Sequence, residues 1–172
     1  MYRQRSNRAP MHDTATPDID GIAVALGRIP SGLFIVTWQH EGRDRGMLAS
    51  WVMQAGFDPP AVSLAVASGR DLLPHLHAGG EVVINVLAED QRSLLARFAK
   101  PAAEGDPFAG LELSRATCGA AVLPGAAAWI GCRPNASAAA GDHEVFVATI
   151  TSAVGHDALS PAVHLRRSGL RY

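Results

Sequence analysis

Apolar residues in this chain cluster in short runs rich in β-branched and aromatic side chains, bounded by Gly, Pro, Asn and charged residues. That pattern predicts strands more than long helices. Gly32-Leu-Phe-Ile-Val-Thr-Trp38 reads as a strand, His40–Arg45 with Gly42 as a hairpin turn, and Gly46–Val52 as the returning strand. Asp58-Pro59-Pro60 is a break, because consecutive prolines cannot sit inside a central strand. Ala61–Ala67 is almost wholly apolar and predicts a strand covered on both faces. Glu81–Leu87, Ala126–Cys132, His143–Ala153 and a short Ala162–Leu165 complete the strand set, with a loose Ala/Gly/Asn stretch before His143. Helical signals are fewer. Ile22–Leu26 predicts a helical turn, and Leu72–Ala78 a short helix begun at Asp71 and stopped by Gly79-Gly80. Glu89–Ala99 places Leu94, Leu95 and Phe98 at helical spacing, followed by a loop over Pro101–Gly110.

Six or seven strands with two or three helices, and no regular strand–helix alternation, exclude a doubly wound parallel sheet. The fold class predicted is β-rich α+β, with several strands at roughly the 8–12-residue spacing of a barrel and a few peripheral helices. The 172 residues suit one domain, expected over residues 21–172, after a polar leader of residues 1–20 expected to be disordered. A net charge of −1 offers no basic field for nucleic acid. No apolar run approaches the roughly 20 residues of a membrane span, and the leader, with Arg3, Arg5 and Arg8, lacks the apolar stretch of a secretory signal. A cytoplasmic protein is expected.

Most familiar chemical motifs are missing. There is no Gly-x-Gly-x-x-Gly after a strand, no phosphate loop, no Gly-x-Ser-x-Gly elbow and no His-Glu-x-x-His. Cys118 and Cys132 show no metal spacing, and His75 and His77 would point apart on a helix, so no metal site is expected. Three segments remain. Gly46–Pro60 runs from a strand into Ser50, Gln54, Ala55 and Gly56, where small residues let a ligand approach the backbone; an ordinary strand end with turn residues is the plainer alternative on spacing alone. Ser68-Gly69-Arg70-Asp71 puts a guanidinium where a strand gives way to a helix; it suits an anion, or simply a pair with Asp71. Gly141-Asp142-His143 opens a strand with a residue able to donate, protonate or stack, though a surface histidine is the plainer alternative. Asn85, inside an apolar strand, needs buried partners and reads as structural.

Taken in order, these segments resemble the flavin reductase-like domain family, the FMN-binding split barrels. The likeness rests on Met47-Leu-Ala-Ser-Trp-Val-x-Gln-Ala55, Pro59-Pro60, Asn85-Val-Leu-Ala-Glu89, a helix ending in Phe98-Ala99, Gly141-Asp-His143 and Ala162-Val-His-x-Arg-x-Ser-Gly-x-x-Tyr172. It covers about residues 21–172 and is closest to the flavin reductase module of the diflavin flavoproteins. Nothing in this chain matches the metallo and flavodoxin-like domains that precede that module, so their oxygen-reducing chemistry is not carried over.

The resemblance implies a split β-barrel homodimer with FMN near the subunit interface, FAD being the alternative flavin, and NADH or NADPH as substrate. Met47, Leu48, Ala49, Ser50, Trp51, Val52 and Gln54 would line the flavin ring and ribityl chain. Ala67, Ser68 and Arg70 would form the phosphate side, with Phe98 as a flanking aromatic. His143 would stand beside flavin and nicotinamide as the catalytic residue. Gly56 departs from relatives that often carry a small hydroxyl residue there, and Ser68 from modules that often carry Lys. The implied function is a flavin reductase passing electrons from a nicotinamide to flavin and onward. The alternative is a flavin-binding carrier reduced by a redox partner protein.

Overall fold

A computed structural model describes residues 18–99 and 105–170. The chain forms two compact units. The first joins the N-terminal segment through Ile29 to the segment from Arg166 onward, and the second spans Pro30–Leu165.

In the first unit, helix α1 runs Ile19–Gly27, with the Asp18 carboxylate accepting the Gly21 N–H at 3.1 Å. This N-cap starts the helix two residues before the expected domain boundary and well before Ile22. The leader's residues 1–17 lie outside the described residues. The Gly169 N–H donates to the Ala23 carbonyl at 2.8 Å. A Cβ on Gly27 would sit 2.9 Å from the Arg166 carbonyl oxygen, so only glycine permits this close approach.

The second unit is built on strands β1 (Ser31–Gly32), β2 (Phe34–His40), β3 (Arg43–Ala49), β4 (Val52–Phe57), β5 (Pro60–Ala67) and β6 (Val82–Val86). The short β7 (Ser114–Arg115) and β8 (Ala121–Val122), the long β9 (Ala128–Ala140) and β10 (His143–Gly155), and β11 (Val163–His164) follow. One sheet of seven strands has the order β3-β2-β6-β9-β10-β5-β4, every pair antiparallel. Its two edges, β3 and β4, are consecutive in the chain and separated only by Ser50 and Trp51. A link from Ala49 to Val52 spans at most roughly 11 Å. The sheet must therefore curl until its edges nearly meet, giving a barrel split between β3 and β4. Ser50 and Trp51 stand at the split because they are the link.

The interior is filled from alternate positions: Val36 and Trp38 of β2, Val62, Leu64 and Val66 of β5, Val82 and Ile84 of β6, and Phe146 of β10. Helix α2 (Leu72–His77) adds Leu72 and Leu76. A second cluster on the opposite face of β2 joins Ile35, Leu87, Leu94, Phe98, Phe108 and Leu123. Asn85 lies fully buried with its amide satisfied: Nδ2 donates to the Ile35 carbonyl at 3.1 Å, and Oδ1 accepts the Leu123 N–H at 2.8 Å. Burial pushes the Cys132 thiol up to about 12, as suits a core residue that stays a neutral thiol.

Several expectations are corrected. Gly46–Val52 is not one strand, because the barrel split falls at Ser50-Trp51 and Val52 opens β4. The Pro-Pro pair does not end the sheet: Asp58 and Pro59 make the turn and Pro60 begins β5 beside edge strand β4. β5 is not covered on both faces, since the small Ser63, Ala65 and Ala67 leave its outer face half-buried. Residues 89–99 start as a 3-10 turn over Glu89–Ser93, and only α3 (Leu94–Phe98) is α-helical. Gln91 tethers that turn, accepting the Ala88 N–H and donating to the Pro124 carbonyl. The loose stretch before His143 is the far half of β9, held by its ladder to β10, where pairing overrides the weak strand propensity of Ala and Asn. Helix α2 ends at His77, and Asp71 makes no side-chain capping bond.

Candidate functional site

Two clusters of the second unit meet around the end of β5. The first is at the split. Trp51, 38% exposed, lies with its ring centroid 4.6 Å from that of His143 at 46°. Its carbonyl accepts the Ala65 N–H at 3.0 Å, which anchors the link between β3 and β4. His143 opens β10 opposite Ala67 and is only 7% exposed, so it is not the surface histidine of the plainer sequence alternative. Its Nδ1 lies 2.7 Å from the Asp142 carboxylate. A carboxylate can only accept, so Nδ1 carries the hydrogen and Nε2 is the acceptor of the neutral ring. The hydrogen bond from His143, and then its charge, hold the Asp142 carboxyl below its ordinary value of 3.8. The Ser68 N–H donates to the Asp142 carbonyl at 2.8 Å and ties this turn to the loop that follows β5.

That loop leads to the second cluster, a cavity of about 350 Å³ walled by β3, the Gly69–Asp71 turn, the end of α3 and residues 105–107. Met47, Arg70 and Phe98 line it, and so do Trp38, Arg45 and Arg97. Phe98 packs edge-on to Phe108 with centroids 5.1 Å apart. A Cβ on Gly46 would fall 2.7 Å from Phe98, so a side chain there would force this wall to shift. Neither Arg45 nor Arg70 makes an ion pair among the described residues.

The sequence-predicted residues thus divide. Ser50, Trp51, Ala67, Ser68 and His143 gather at the split, and Met47, Arg70 and Phe98 at the cavity. Val52 and Ala49 are buried in the barrel core, Leu48 packs against the second core cluster, and Gln54 is exposed on β4. Arg45, Arg97 and Trp38 were not singled out from sequence. Arg45 lies two residues from Met47 on one strand and so shares its face, a signal the sequence does carry.

The model of the flavin reductase like domain matches residues 26–170. The chain belongs to the flavin reductase-like family. It is 35% identical over 151 residues to diflavin flavoprotein A 1 of Synechocystis sp., covering 86% of this chain but 26% of that protein. The chain spans only 25–30% of the length of curated relatives it matches. Among solved structures, the NADH:FAD oxidoreductase SgcE6 of Streptomyces globisporus superposes with a TM-score of 0.76 at 25% identity, over 86% of this chain and 87% of that one. It has also been solved with NAD and FAD fragments. The styrene monooxygenase flavin reductase of Pseudomonas putida S12 matches with a TM-score of 0.72 at 25% identity, over 83% of this chain and 90% of that one. The β-rich split barrel is the fold of this flavin reductase-like chain. Among the described residues no helix is long and apolar enough to cross a membrane, and no group of His, Cys, Asp and Glu could hold a metal ion.

Proposed function

We propose that this flavin reductase-like chain binds FMN without a covalent link, with FAD as the other flavin the site could take, and uses it to accept a hydride from NADH or NADPH. The observation that carries the reading is the Trp51–His143 pair at the barrel split, one turn away from a cavity whose Arg45 and Arg70 make no ion pair among the described residues. An anionic aromatic ligand fits such a donor set, its ring near Trp51 and His143 and its phosphate toward Arg70. The flavin supplies the electron-accepting ring; the protein binds it, leaves one face open and donates hydrogen bonds. His143 is the proposed catalytic residue, orienting the nicotinamide through Nε2 while Asp142 holds Nδ1. Met47 and Ser50 would line the flavin, Ala67 and Ser68 the backbone beside its phosphate.

We further propose a homodimer that passes electrons on to a partner protein or a free flavin acceptor. Support for the dimer is the edge strand β4, where Met53 is 68% and Phe57 87% exposed. Large exposed apolar side chains on an edge strand suit an interface.

Rapid anaerobic mixing of the flavin-loaded protein with NADH and with NADPH tests the enzyme reading: fast bleaching of the flavin band is expected. Bound flavin that stays oxidised would favour the carrier reading. Size-exclusion mass of the yellow protein should be that of two chains, and a colourless monomer that leaves free FMN fluorescence unquenched would remove both proposals.

Asp142→Ala is expected to slow flavin reduction about tenfold, ~1.4 kcal/mol, with Asp142→Asn recovering part of the loss by accepting the same N–H. Because the folded-state carboxyl sits below its ordinary value, the contact to His143 is present above that value and is lost as pH falls through the lowered one. Fluorescence of Trp51 should therefore show a step below about pH 4 that is missing in Asp142→Asn, and the same step in both proteins would show that the pair does not hold.

A further inference from the structure

Charge is divided unevenly between the two units. The first, Met1–Ile29 with Arg166–Tyr172, holds seven arginines against three aspartates and carries +4. Pro30–Leu165 therefore carries −5, within a chain of −1. A surplus of +4 on 36 residues is a dense cationic field, whereas −5 over 136 residues is thinly spread. The same unit presents apolar surface. Helix α1 has one charged residue, Asp20, among its nine, and Ile19, Ile22 and Leu26 form a stripe at helical spacing. All three are exposed, as are Val24 on another face and Ile29 just beyond the helix. A helix apolar on every face is ordinarily covered, yet only Gly27 of α1 is buried. Cations lie along it. Arg28 caps its C-terminus, and the Gly169–Ala23 hydrogen bond and the close approach at Gly27 hold the Arg166–Arg167 segment alongside. Arg28 and Arg167 are exposed and make no ion pair among the described residues. Of the acids, Asp18 is engaged as the N-cap. Arg3, Arg5 and Arg8 precede the helix in sequence, ahead of the chain's first acid, Asp13.

We propose that this unit docks on an anionic lipid surface, with α1 lying among the headgroups, its isoleucines turned toward the acyl chains and the arginines on the anionic headgroups. Nine residues rise about 14 Å, less than half of the roughly 30 Å hydrocarbon core, so α1 lies along the surface and does not span it. Apolar contact and cationic attraction act together, and neither alone holds so short a helix. A second copy meeting α1 through the same face would bring +4 against +4, and nucleic acid would leave the isoleucines without a contact. None of this depends on the flavin reading.

Co-sedimentation of the 172-residue chain with lipid vesicles tests it. Binding to phosphatidylcholine vesicles enriched in phosphatidylglycerol should exceed binding to pure phosphatidylcholine by about a hundredfold, the scale of three arginines at the surface, and should fall as added salt shortens the Debye length. Arg28→Gln and Arg167→Gln should each weaken binding about fivefold. The double variant Ile19→Ser, Val24→Ser should weaken it at least as much and leave flavin binding unchanged. Equal binding to the two kinds of vesicle, binding to neither, or full binding by the double variant would overturn the assignment. So would preference for single-stranded RNA or polyglutamate over the anionic vesicles. A thermal melt of each variant confirms folding, and if the double variant does not fold, the arginine variants and the wild-type vesicle comparison decide.

Discussion

Arg70→Ala should weaken binding of FMN on the order of 1.5–3 kcal/mol, tenfold to somewhat over a hundredfold, while riboflavin affinity hardly moves. The argument is one of charge. Arg70 is exposed, lines the cavity and has no ion-pair partner among the described residues, so its guanidinium is available for charge-assisted bonds to a phosphate dianion. The nearby backbone offers less than the sequence suggested. Helix α2 has only six residues and Asp71 makes no capping bond, so little else at this turn can replace a lost guanidinium. Riboflavin lacks the phosphate and reports only the ring contacts at the split. Titration of both ligands against both proteins checks the difference. Equal weakening would mean that Arg70 acts on the local fold and not on the phosphate.

How much of this site could be read in the chain is clearest from individual residues. The aromatic and β-branched run of β2 and the apolar run of β5 are local signals, and both strands form where the pattern places them within one or two residues. The split is not local. Met47–Ala55 looks continuous in sequence, yet closure of the sheet places its halves on opposite edges, and no side-chain pattern announces the two-residue link. The alanine-rich far half of β9 is strand only because β10 pairs with it. Arg45 escaped notice for a related reason. It sits in a charged segment that reads as a hairpin turn, and only the tighter turn at Glu41-Gly42, with both residues at positive φ, frees Arg43–Arg45 to join β3 and brings Arg45 to the cavity. Gly141-Asp142-His143 is legible in part: the glycine takes φ +65° at the hairpin turn and the histidine opens the strand, but its burial and its contact with Asp142 come from the fold around the turn.

His143→Ala should slow reduction of bound flavin by NADH or NADPH about a hundredfold, the scale of losing orientation at a reacting centre, while FMN affinity stays within about tenfold, ~1.4 kcal/mol. The separation of the two effects is what the geometry predicts. His143 belongs to the split and not to the arginine cavity, so it contributes little to anchoring the phosphate end. Its ring is held from two sides, by Asp142 at Nδ1 and by the tilted face of Trp51, and such fixing serves orientation of a second ligand better than retention of the first. On the proposed reading no protein group would need to donate or withdraw the transferred hydrogen, because the flavin and the nicotinamide would supply that chemistry themselves. Truncation also removes packing against Trp51, so His143→Gln and His143→Phe divide the roles. The former restores a hydrogen-bonding side chain and the latter only a ring. Recovery of rate with Gln but not Phe supports hydrogen bonding to the nicotinamide, and recovery with Phe alone supports stacking. Stopped-flow traces for all three variants across a range of nicotinamide concentrations give the answer. Wild-type rates in His143→Ala would remove the catalytic assignment and leave His143 as the partner that props Trp51 at the barrel split.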